Sequence, residues 1–402
     1  MYLHEFTARN YMIHRNTRLT LSPITVLVGP NGGGKSSLFD AILNFSMLAR
    51  GSLRQAFGHY PYSYAATKCR HAANFERVGF EVEMSATRAA DQRLRYEINY
   101  SQKGFAEPNN PAFDIAQEYL ADSAGAVLFD RNNPAQSPLT AAKGFVGDDY
   151  GILAATRKAV LEGRAAEHQA VADCAKEIGR FNRFRLAPNE LSRPSRMPET
   201  SEASAPRLGY EGEDLASCLY YMSETEDPAL AQITDEVRGL LPEFDGFEFN
   251  VVGVDRVAFS MKFSDGRGSI NAARMSHGNL IFLGLMVLTY SQNRPPVMLI
   301  EEPENGLTPA ALKRFYDAAR RLALRPEQEQ PSQVLISSHS PFVICEAWNG
   351  NDRDFIHQIT VRDGICVARP LSEVIAENRI VTAADGRLGL RNAEELMCGY
   401  YS

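Results

Sequence analysis

The residue types that could perform chemistry are concentrated in one glycine-rich stretch, Gly29 to Ser37. It reads Gly-Pro-Asn-Gly-Gly-Gly-Lys-Ser-Ser and fits the spacing G-x-x-x-x-G-K-[ST] of phosphate-binding loops. The apolar run Ile24–Val28 before it predicts a strand, and a helix-like run follows it. Because a strand, a glycine loop and a helix start surround an anion with backbone N–H groups, this order predicts phosphate binding. The residues expected to contribute are Gly29, Pro30, Asn31, Gly32, Gly33, Gly34, Lys35, Ser36 and Ser37.

Two side chains of this loop have distinct expected roles. Lys35 would reach the β- and γ-phosphates, and the Ser36 hydroxyl would be a ligand of Mg²⁺. The alternative interpretation is a glycine turn that contains Lys-Ser by coincidence. The flanking strand and helix favour nucleotide binding.

A second candidate lies where an apolar run, Val297–Ile300, ends in the acids Glu301 and Glu302. Four consecutive apolar residues are typical of a parallel strand that is covered on both faces. The carboxyl ends of such strands are where open α/β sheets bind ligands. Glu301 would hold Mg²⁺ through water, and Glu302 would act as general base on the attacking water. The alternative is an acid pair that merely follows a core strand.

Two shorter signals complete the set. His339 follows the predicted strand Gln333–Ser338, where it would hydrogen-bond a γ-phosphate, although a lone histidine is more often structural or solvated. Ser276 has the position of a helix N-cap. The helix that it begins would present Ser276 and the backbone of Gly278 to a second phosphate group, or would simply be a capped core helix.

The order of five motifs along the chain resembles the head of an ABC-type ATPase. They are the phosphate loop, the Ser-x-Gly sequence, the acid-ended strand, the Asn-Gly-Leu-x-Pro turn and Ser-His-Ser-Pro. The motifs span Gly29 to Pro341 and are most similar to the RecF/SMC/OLD-like group, whose members are often described as AAA-type. The resemblance implies an α/β fold: a P-loop NTPase head with a mixed sheet, an antiparallel β subdomain and a helical insertion.

The resemblance also implies a reaction and an assembly. ATP and Mg²⁺ would be bound, and ATP would be hydrolysed to ADP and phosphate. Lys35, Glu302 and His339 would be catalytic, Ser36 and Glu301 would hold the metal, and Asn305 would lie at the nucleotide. Two heads would associate head to tail as a homodimer or higher oligomer, with Ser276 and Gly278 of one copy capping the γ-phosphate bound by the other.

Several positions depart from the family pattern. The signature reads Met-Ser-His-Gly-Asn, so His277 and Asn279 replace its usual glycine and glutamine. Glu301 stands where P-loop proteins usually have aspartate, and Thr308 where many relatives have histidine. The sequence does not locate the glutamine-loop residue, for which Gln55 and Gln92 are weak candidates.

Composition bounds the class of protein. The chain has 402 residues, 44% of them hydrophobic, which is enough for a sizeable core. A formal charge of -7 excludes a wholly basic nucleic-acid coat. Six scattered cysteines without a C-x-x-C pair predict neither zinc nor a redox site, and with no signal peptide they fit the cytoplasm. The longest apolar stretch, near residues 280–288, is too short to cross a membrane.

The chain divides, by its patterns, into three segments. Residues 1–103 are predicted to be the N-terminal lobe with the phosphate loop and a β-meander. Residues 104–245 are predicted to contain an irregular connection, to about residue 145, and a helical insertion too short for a coiled-coil arm. Residues 246–402 are predicted to be the C-terminal lobe, with no fused Toprim nuclease.

A basic and aromatic run around Arg180, Arg183 and Arg185 could bind DNA phosphates and stack bases, although a helix end with core phenylalanines is the favoured interpretation. The resemblance favours a switch in DNA repair or anti-phage defence that acts with a separate nuclease or effector. Two other functions stay open: an ATP-locked scaffold with little turnover that holds a partner protein, and a small-molecule kinase.

Overall fold

The structure is a computed structural model. It describes residues 1–57, 63–73, 76–88, 93–103, 112–133, 137–139, 150–163, 166–199, 205–326, 331–350, 352–378, 380, 382–383 and 386–397. The chain forms two compact units, unit 1 (1–181, 352–381 and 395–402) and unit 2 (182–351 and 382–394). The predicted boundaries after residues 103 and 245 each fall inside one of these units.

Unit 1 contains a six-stranded antiparallel sheet in the order β2-β1-β4-β5-β6-β7. β4 and β5 bury mainly apolar side chains at alternate positions, as half-buried strands do. The strands are β1 (Tyr2–Tyr11), β2 (His14–Thr20), β4 (Val78–Ser85), β5 (Arg93–Lys103), β6 (Ala112–Asp122) and β7 (Val127–Asp130). The β-meander predicted within residues 1–103 therefore corresponds to β4 and β5.

The predicted irregular connection over 104 to about 145 is wrong for residues 112–122 and 127–130, which are strands β6 and β7. A register shift opposite Asn99 and Tyr100 moves the buried face of β6 by one residue, from Phe113 and Ile115 to Glu118 and Leu120. Because a bulge interrupts the period of two and a carboxylate takes an inward position, the alternation was not visible in the sequence.

Unit 1 also holds the strand that leads into the phosphate loop. β3 (Ile24–Val28) is fully buried and pairs in parallel with β15 (Ile356–Arg362), which pairs antiparallel with β16 (Ile365–Pro370). This arrangement supplies the predicted mixed sheet. The helices of this part of the chain are α1 (Lys35–Leu48), α2 (Leu53–Phe57), α3 (Tyr64–Thr67), α4 (Ile152–Leu161), α5 (Gln169–Ile178) and α12 (Leu371–Glu377); α13 (Leu390–Met397) follows at the end of the described chain.

Aromatic packing fixes α1 against the antiparallel sheet. The Phe45 ring of α1 lies 6.0 Å from that of Phe6, 6.3 Å from that of Phe80 and 6.0 Å from that of Tyr96. All four side chains are fully buried. Since such rings contribute large apolar areas and preferred edge contacts, this cluster holds the helix whose first turn forms part of the phosphate loop.

Unit 2 contains three parallel strands in the order β14-β13-β8. They are β8 (Asn182–Phe184), β13 (Val297–Glu301) and β14 (Gln333–Ser338). A separate antiparallel sheet has β10 (Phe244–Val252), β11 (Arg256–Phe263) and β12 (Gly268–Asn271), with β9 (Ser195–Arg196) paired to β11. The acid-ended and histidine-ended strands of the sequence analysis are thus neighbours.

Helices cover these strands. They are α6 (Pro188–Leu191), α7 (Leu215–Glu224), α8 (Pro228–Arg238), α9 (His277–Tyr290), α10 (Pro309–Ala323) and α11 (Pro341–Asn349). α9 is buried along nearly its whole length and packs against α6, α8 and α10. Within the described residues, no helix combines the length and apolar character that a membrane span requires.

Candidate functional site

Three glycines of the phosphate loop lie in close packing within unit 1. A Cβ built on Gly29 would lie 2.0 Å from the carbonyl oxygen of Ile359, and one on Gly33 would lie 2.9 Å from the same atom. Gly34 has a φ of +105°, and its Cβ would lie 2.9 Å from the side chain of Ile13. Because the contacts of Gly29 and Gly33 are to backbone and Gly34 has a positive φ, a side chain at these positions would displace or strain the loop.

The loop leads directly into the N-terminus of α1. The N-cap residue, Gly34, has no side chain that could cap the helix, and the first turn contains no acid. An uncapped, positively polarised helix end is suited to an anion. The Nζ atom of Lys35 donates to the carbonyl oxygens of Gly29 and Pro30 at 2.8 and 3.0 Å, and Ser36 is exposed.

His14 supports this loop and was missed by the sequence analysis, because it lies on a neighbouring strand and belongs to no motif. Its Nε2 atom lies 2.8 Å from the hydroxyl of Ser37, and its Nδ1 atom 3.0 Å from that of Thr17. Burial lowers the pKa of His14 to about 4, so the ring is neutral at pH 7. Since Ser37 donates to the Gly34 carbonyl oxygen at 2.9 Å, it accepts from the Nε2–H of His14.

This neutral histidine predicts a pH dependence of stability. Below its ordinary pKa of 6.5 the unfolded chain binds a proton that the folded chain does not, so stability falls as the pH decreases from 6.5 towards 4. The loss attributable to His14 is about 3 kcal/mol at pH 4. We expect His14→Gln to flatten this part of the curve of unfolding free energy against pH, measured in urea. The exposed His71, changed to glutamine, is the control, and an unchanged slope in His14→Gln would contradict the prediction.

In unit 2, the buried acid Glu301 ends β13 and is paired with an arginine of the adjacent strand. The Nη2 atom of Arg183 lies 2.6 Å from Oε1 of Glu301, and only 1% of the Glu301 side chain is exposed. A carboxylate that is buried to this extent requires such a counter-ion. Direct contact of Glu301 with a metal would require this pair to open. Among the described residues there is no group of three His, Cys, Asp or Glu that could hold a metal by itself.

Glu302 adopts an unusual backbone conformation, with a φ of +44°. Its N–H donates to the Ser337 carbonyl oxygen at 2.9 Å, which places this strained residue beside the end of β14. The carboxylate accepts from Asn305 and Arg185, each at 3.1 Å. A left-handed glutamate is uncommon, and strain of this kind concentrates at functional sites.

His339 lies at the same edge of the strands as the acids. Its Nδ1 atom is 3.3 Å from Oε1 of Glu304 and 3.8 Å from Oε1 of Glu302. Neither contact is a hydrogen bond, and this buried nitrogen has no hydrogen-bond partner among the described residues. Glu304 in turn accepts from the Ser338 hydroxyl and the His339 N–H, both at 2.8 Å. Glu302, Asn305 and His339 therefore lie together, next in sequence to Glu301, and the roles of these four residues stay predictions.

The signature at the start of α9 approaches the same turn. Ser276 is the N-cap, and its hydroxyl accepts from the Asn279 N–H at 3.3 Å. A Cβ on Gly278 would lie 2.4 Å from the carbonyl oxygen of Gly306, so the glycine is required by this contact within the chain. Ser276 and His277 are exposed. The predicted N-cap is confirmed, while a role for Ser276 and Gly278 in a second copy stays a prediction.

In the run that was considered for DNA binding, the phenylalanines are buried and the arginines are paired with acids. Phe181 and Phe184 are buried, so neither can stack on a base. Arg183 and Arg185 pair with Glu301 and Glu302, and Arg180 pairs with Glu177 at 2.8 Å. Sequence spacing gave no signal that these arginines would meet the acids, since more than a hundred residues separate them.

Of the weak glutamine-loop candidates, Gln92 lies outside the described residues, and Gln55 accepts from the Ser52 N–H at the start of α2.

Comparison with known proteins identifies the class. A family model described as "AAA domain, putative AbiEii toxin, Type IV TA system" matches residues 24–345. A search of curated proteins found no match. The fold is similar to that of an SMC head bound to the C-terminal winged-helix domain of ScpA, with 12% identity, a TM-score of 0.53, and coverage of 93% of this chain and 99% of that chain.

Two further SMC heads align with this chain. One, from Thermotoga maritima, has 14% identity and a TM-score of 0.45 over 92% of this chain and 99% of that chain. The other, from Pyrococcus furiosus, carries an extended coiled coil and was solved with the C-terminal domain of ScpA. It has 12% identity and a TM-score of 0.48 over 94% of this chain and 98% of that chain.

The fold and the loop thus define an ABC- and SMC-like P-loop ATPase head. Because the family model covers most of the chain, this protein belongs to that family of AAA domains.

Proposed function

We propose that this protein binds ATP with Mg²⁺ and hydrolyses it to ADP and phosphate. The observation that carries the proposal is the phosphate loop, in which Gly29, Gly33 and Gly34 admit no side chain and an uncapped helix begins at Lys35. Lys35 now donates to two loop carbonyls, and a phosphate would be a stronger partner for its ammonium group. The exposed Ser36 is suited to Mg²⁺.

The acid edge of unit 2 supports hydrolysis rather than binding alone. Glu302 has a strained backbone and a carboxylate that could act as a general base. The buried, unpartnered Nδ1 of His339 lies beside that carboxylate. We assign water activation to Glu302, γ-phosphate contact to His339 and Asn305, and a water-mediated Mg²⁺ contact to Glu301. These roles follow the family resemblance, and the strained backbone of Glu302 and the unpartnered Nδ1 of His339 are consistent with two of them.

We further propose that ATP drives head-to-tail association of two copies. Ser276 is exposed at the start of α9, where it is accessible to a second molecule. Hydrolysis would remove the shared phosphate and weaken the interface, which makes the pair a ligand-biased switch.

The toxin–antitoxin description of the family favours a defence role with a separate effector, and the ScpA-bound SMC head gives a precedent for a partner protein. The Arg183–Phe184–Arg185 segment does not support DNA binding.

A second function, an ATP-locked scaffold with little turnover, is favoured by one observation. Both acids of the candidate catalytic pair are engaged by arginines, Glu301 by Arg183 and Glu302 by Arg185. An acid held in this way is not free to activate water. In the scaffold, ATP would be a structural ligand and partner binding would be the output.

The solution mass of Glu302→Gln tests the switch. We expect this variant to bind ATP–Mg²⁺ without hydrolysing it and to shift from monomer to dimer on addition of the nucleotide. The measurement is light scattering after gel filtration, with the bound nucleotide quantified in each peak. Lys35→Ala in the same background should remove both the nucleotide and the shift.

Ser276→Arg in the Glu302→Gln background should abolish the shift while nucleotide stays bound, since the bulky cation blocks the exposed helix start. Ser276→Ala is the matched control, because it removes the N-cap without adding bulk. A mass that is indifferent to ATP, with nucleotide bound, would reject the ATP-driven dimer.

A further inference from the structure

The two arginine–glutamate pairs of unit 2 differ sharply in exposure. Arg183 and Glu301 have side-chain exposures of 10% and 1%, whereas Arg185 and Glu302 have 56% and 21%. A buried pair is costly to open, because each charge would be left without a partner. A largely exposed pair is weak and exchanges readily. Arg185 is therefore the arginine that can change partners.

Under the proposed function the terminal phosphate comes to Glu302, and Arg185 already contacts that residue. Arg185 follows β8, whose residues Arg183 and Phe184 pair in parallel with Leu299 and Ile300 of β13. Its Nη2 atom reaches Oε2 of Glu302, and the unpartnered Nδ1 of His339 lies 3.8 Å from the other oxygen of that carboxylate. Two potential donors therefore flank the same carboxylate.

A phosphate is a better partner for this guanidinium than Glu302 is. Guanidinium groups bind phosphate oxygens with two parallel hydrogen bonds, and the terminal phosphate of ATP carries more charge than one carboxylate. The present contact between Arg185 and Glu302 has a single hydrogen bond at 3.1 Å. Exchange from the carboxylate to the phosphate is accordingly favourable.

We propose that Arg185 holds Glu302 in the absence of nucleotide and transfers to the terminal phosphate when ATP binds. The transfer frees the Glu302 carboxylate to act on water, so that the base is released only when its substrate is present. This inference rests on the proposed function, since it takes ATP as the ligand. It adds a phosphate-contacting residue that belongs to none of the sequence motifs.

The same segment connects Arg185 to the signature helix. Leu186 and Leu191 pack on Gly284 of α9, where an added Cβ would lie 2.9 and 2.8 Å from their methyl groups. Close packing therefore links the segment that follows Arg185 to the middle of the helix that begins at Ser276.

The test removes Arg185 in a protein that already lacks the Glu302 charge. If Arg185 only neutralises Glu302, its loss in Glu302→Gln changes nothing at the phosphate. If it contacts the terminal phosphate, Arg185→Ala in Glu302→Gln should weaken binding of the non-hydrolysable analogue AMP-PNP with Mg²⁺ about tenfold, the loss expected for a charge-assisted contact. Binding of ADP, which lacks that phosphate, should stay within about twofold. Both affinities are measured by titration calorimetry.

The matched control is Arg193→Ala in the same Glu302→Gln background, because Arg193 is a similarly exposed arginine that pairs with Glu190. Arg185→Lys should recover part of the AMP-PNP affinity. Equal AMP-PNP affinity with and without Arg185, at unchanged ADP affinity, would overturn this inference and leave the proposed function standing. Failure of Glu302→Gln to bind either nucleotide would overturn both.

Discussion

Replacement of Glu302 by glutamine is expected to lower the rate of ATP hydrolysis by about two to four orders of magnitude, the range for loss of a general base. Glutamine keeps the Cβ and the length of the side chain, so the strained backbone at φ +44° is unchanged. It also accepts from Asn305 and Arg185 as the carboxylate does. What is lost is the ability to take a proton from water.

The measurement is steady-state phosphate release at saturating ATP, alongside nucleotide affinity. Binding should be retained in Glu302→Gln and lost in Lys35→Ala, which separates chemistry from binding. Glu190→Gln is a control at an acid of the same unit that pairs with the nearby Arg193. Turnover that is unaffected in Glu302→Gln would remove this residue as the base, and undetectable turnover in the unmodified protein would favour the scaffold.

The parts of the site that were predictable are those in which the chemistry lies within a short run of sequence. The phosphate loop requires consecutive glycines and a following helix, so it was visible as a motif and its local structure is confirmed. The N-cap Ser276 and the ends of β13 and β14 were predictable for the same reason. Each of these depends on backbone geometry over about ten residues.

The parts that were not predictable depend on pairing between distant segments. The arginines Arg183 and Arg185 lie beside the acids because β8 pairs with β13, and one sequence contains no signal for that neighbour. The support of Ser37 by His14 likewise depends on tertiary contact between separate elements. The possible DNA contact of the run that contains both arginines was inferred from its composition. The structure shows instead that Phe181 and Phe184 of this run are core residues.

The carboxylate of Glu118 is the centre of another set of long-range contacts that the sequence did not reveal. It is fully buried on β6 and pairs with Arg131 at 2.8 Å. It also accepts from the Tyr96 hydroxyl at 2.7 Å and from the Ile152 N–H at the start of α4. One side chain therefore joins two strands, the residue after β7 and a helix N-terminus, where an acid is favoured.

Removing this carboxylate should be severe. Glu118→Ala leaves Arg131 without its buried counter-ion and deprives two buried donors of their acceptor, so we expect a loss of about 3–5 kcal/mol in the free energy of unfolding. Glu118→Gln keeps an acceptor for Tyr96 and Ile152 and should lose less. The measurement is urea unfolding followed by far-UV circular dichroism.

The matched control lies on the same sheet. Glu83 pairs with Arg93 at 2.6 Å, but 36% and 47% of these side chains are exposed. Exposed pairs contribute about 0–1 kcal/mol, so Glu83→Ala should shift the transition little. If the two alanine variants were equally stable, the buried network would not be a determinant of stability. A large difference would instead show that the bulge which placed Glu118 inside the sheet also made its carboxylate indispensable, because an inward charge is tolerated only where every oxygen is matched.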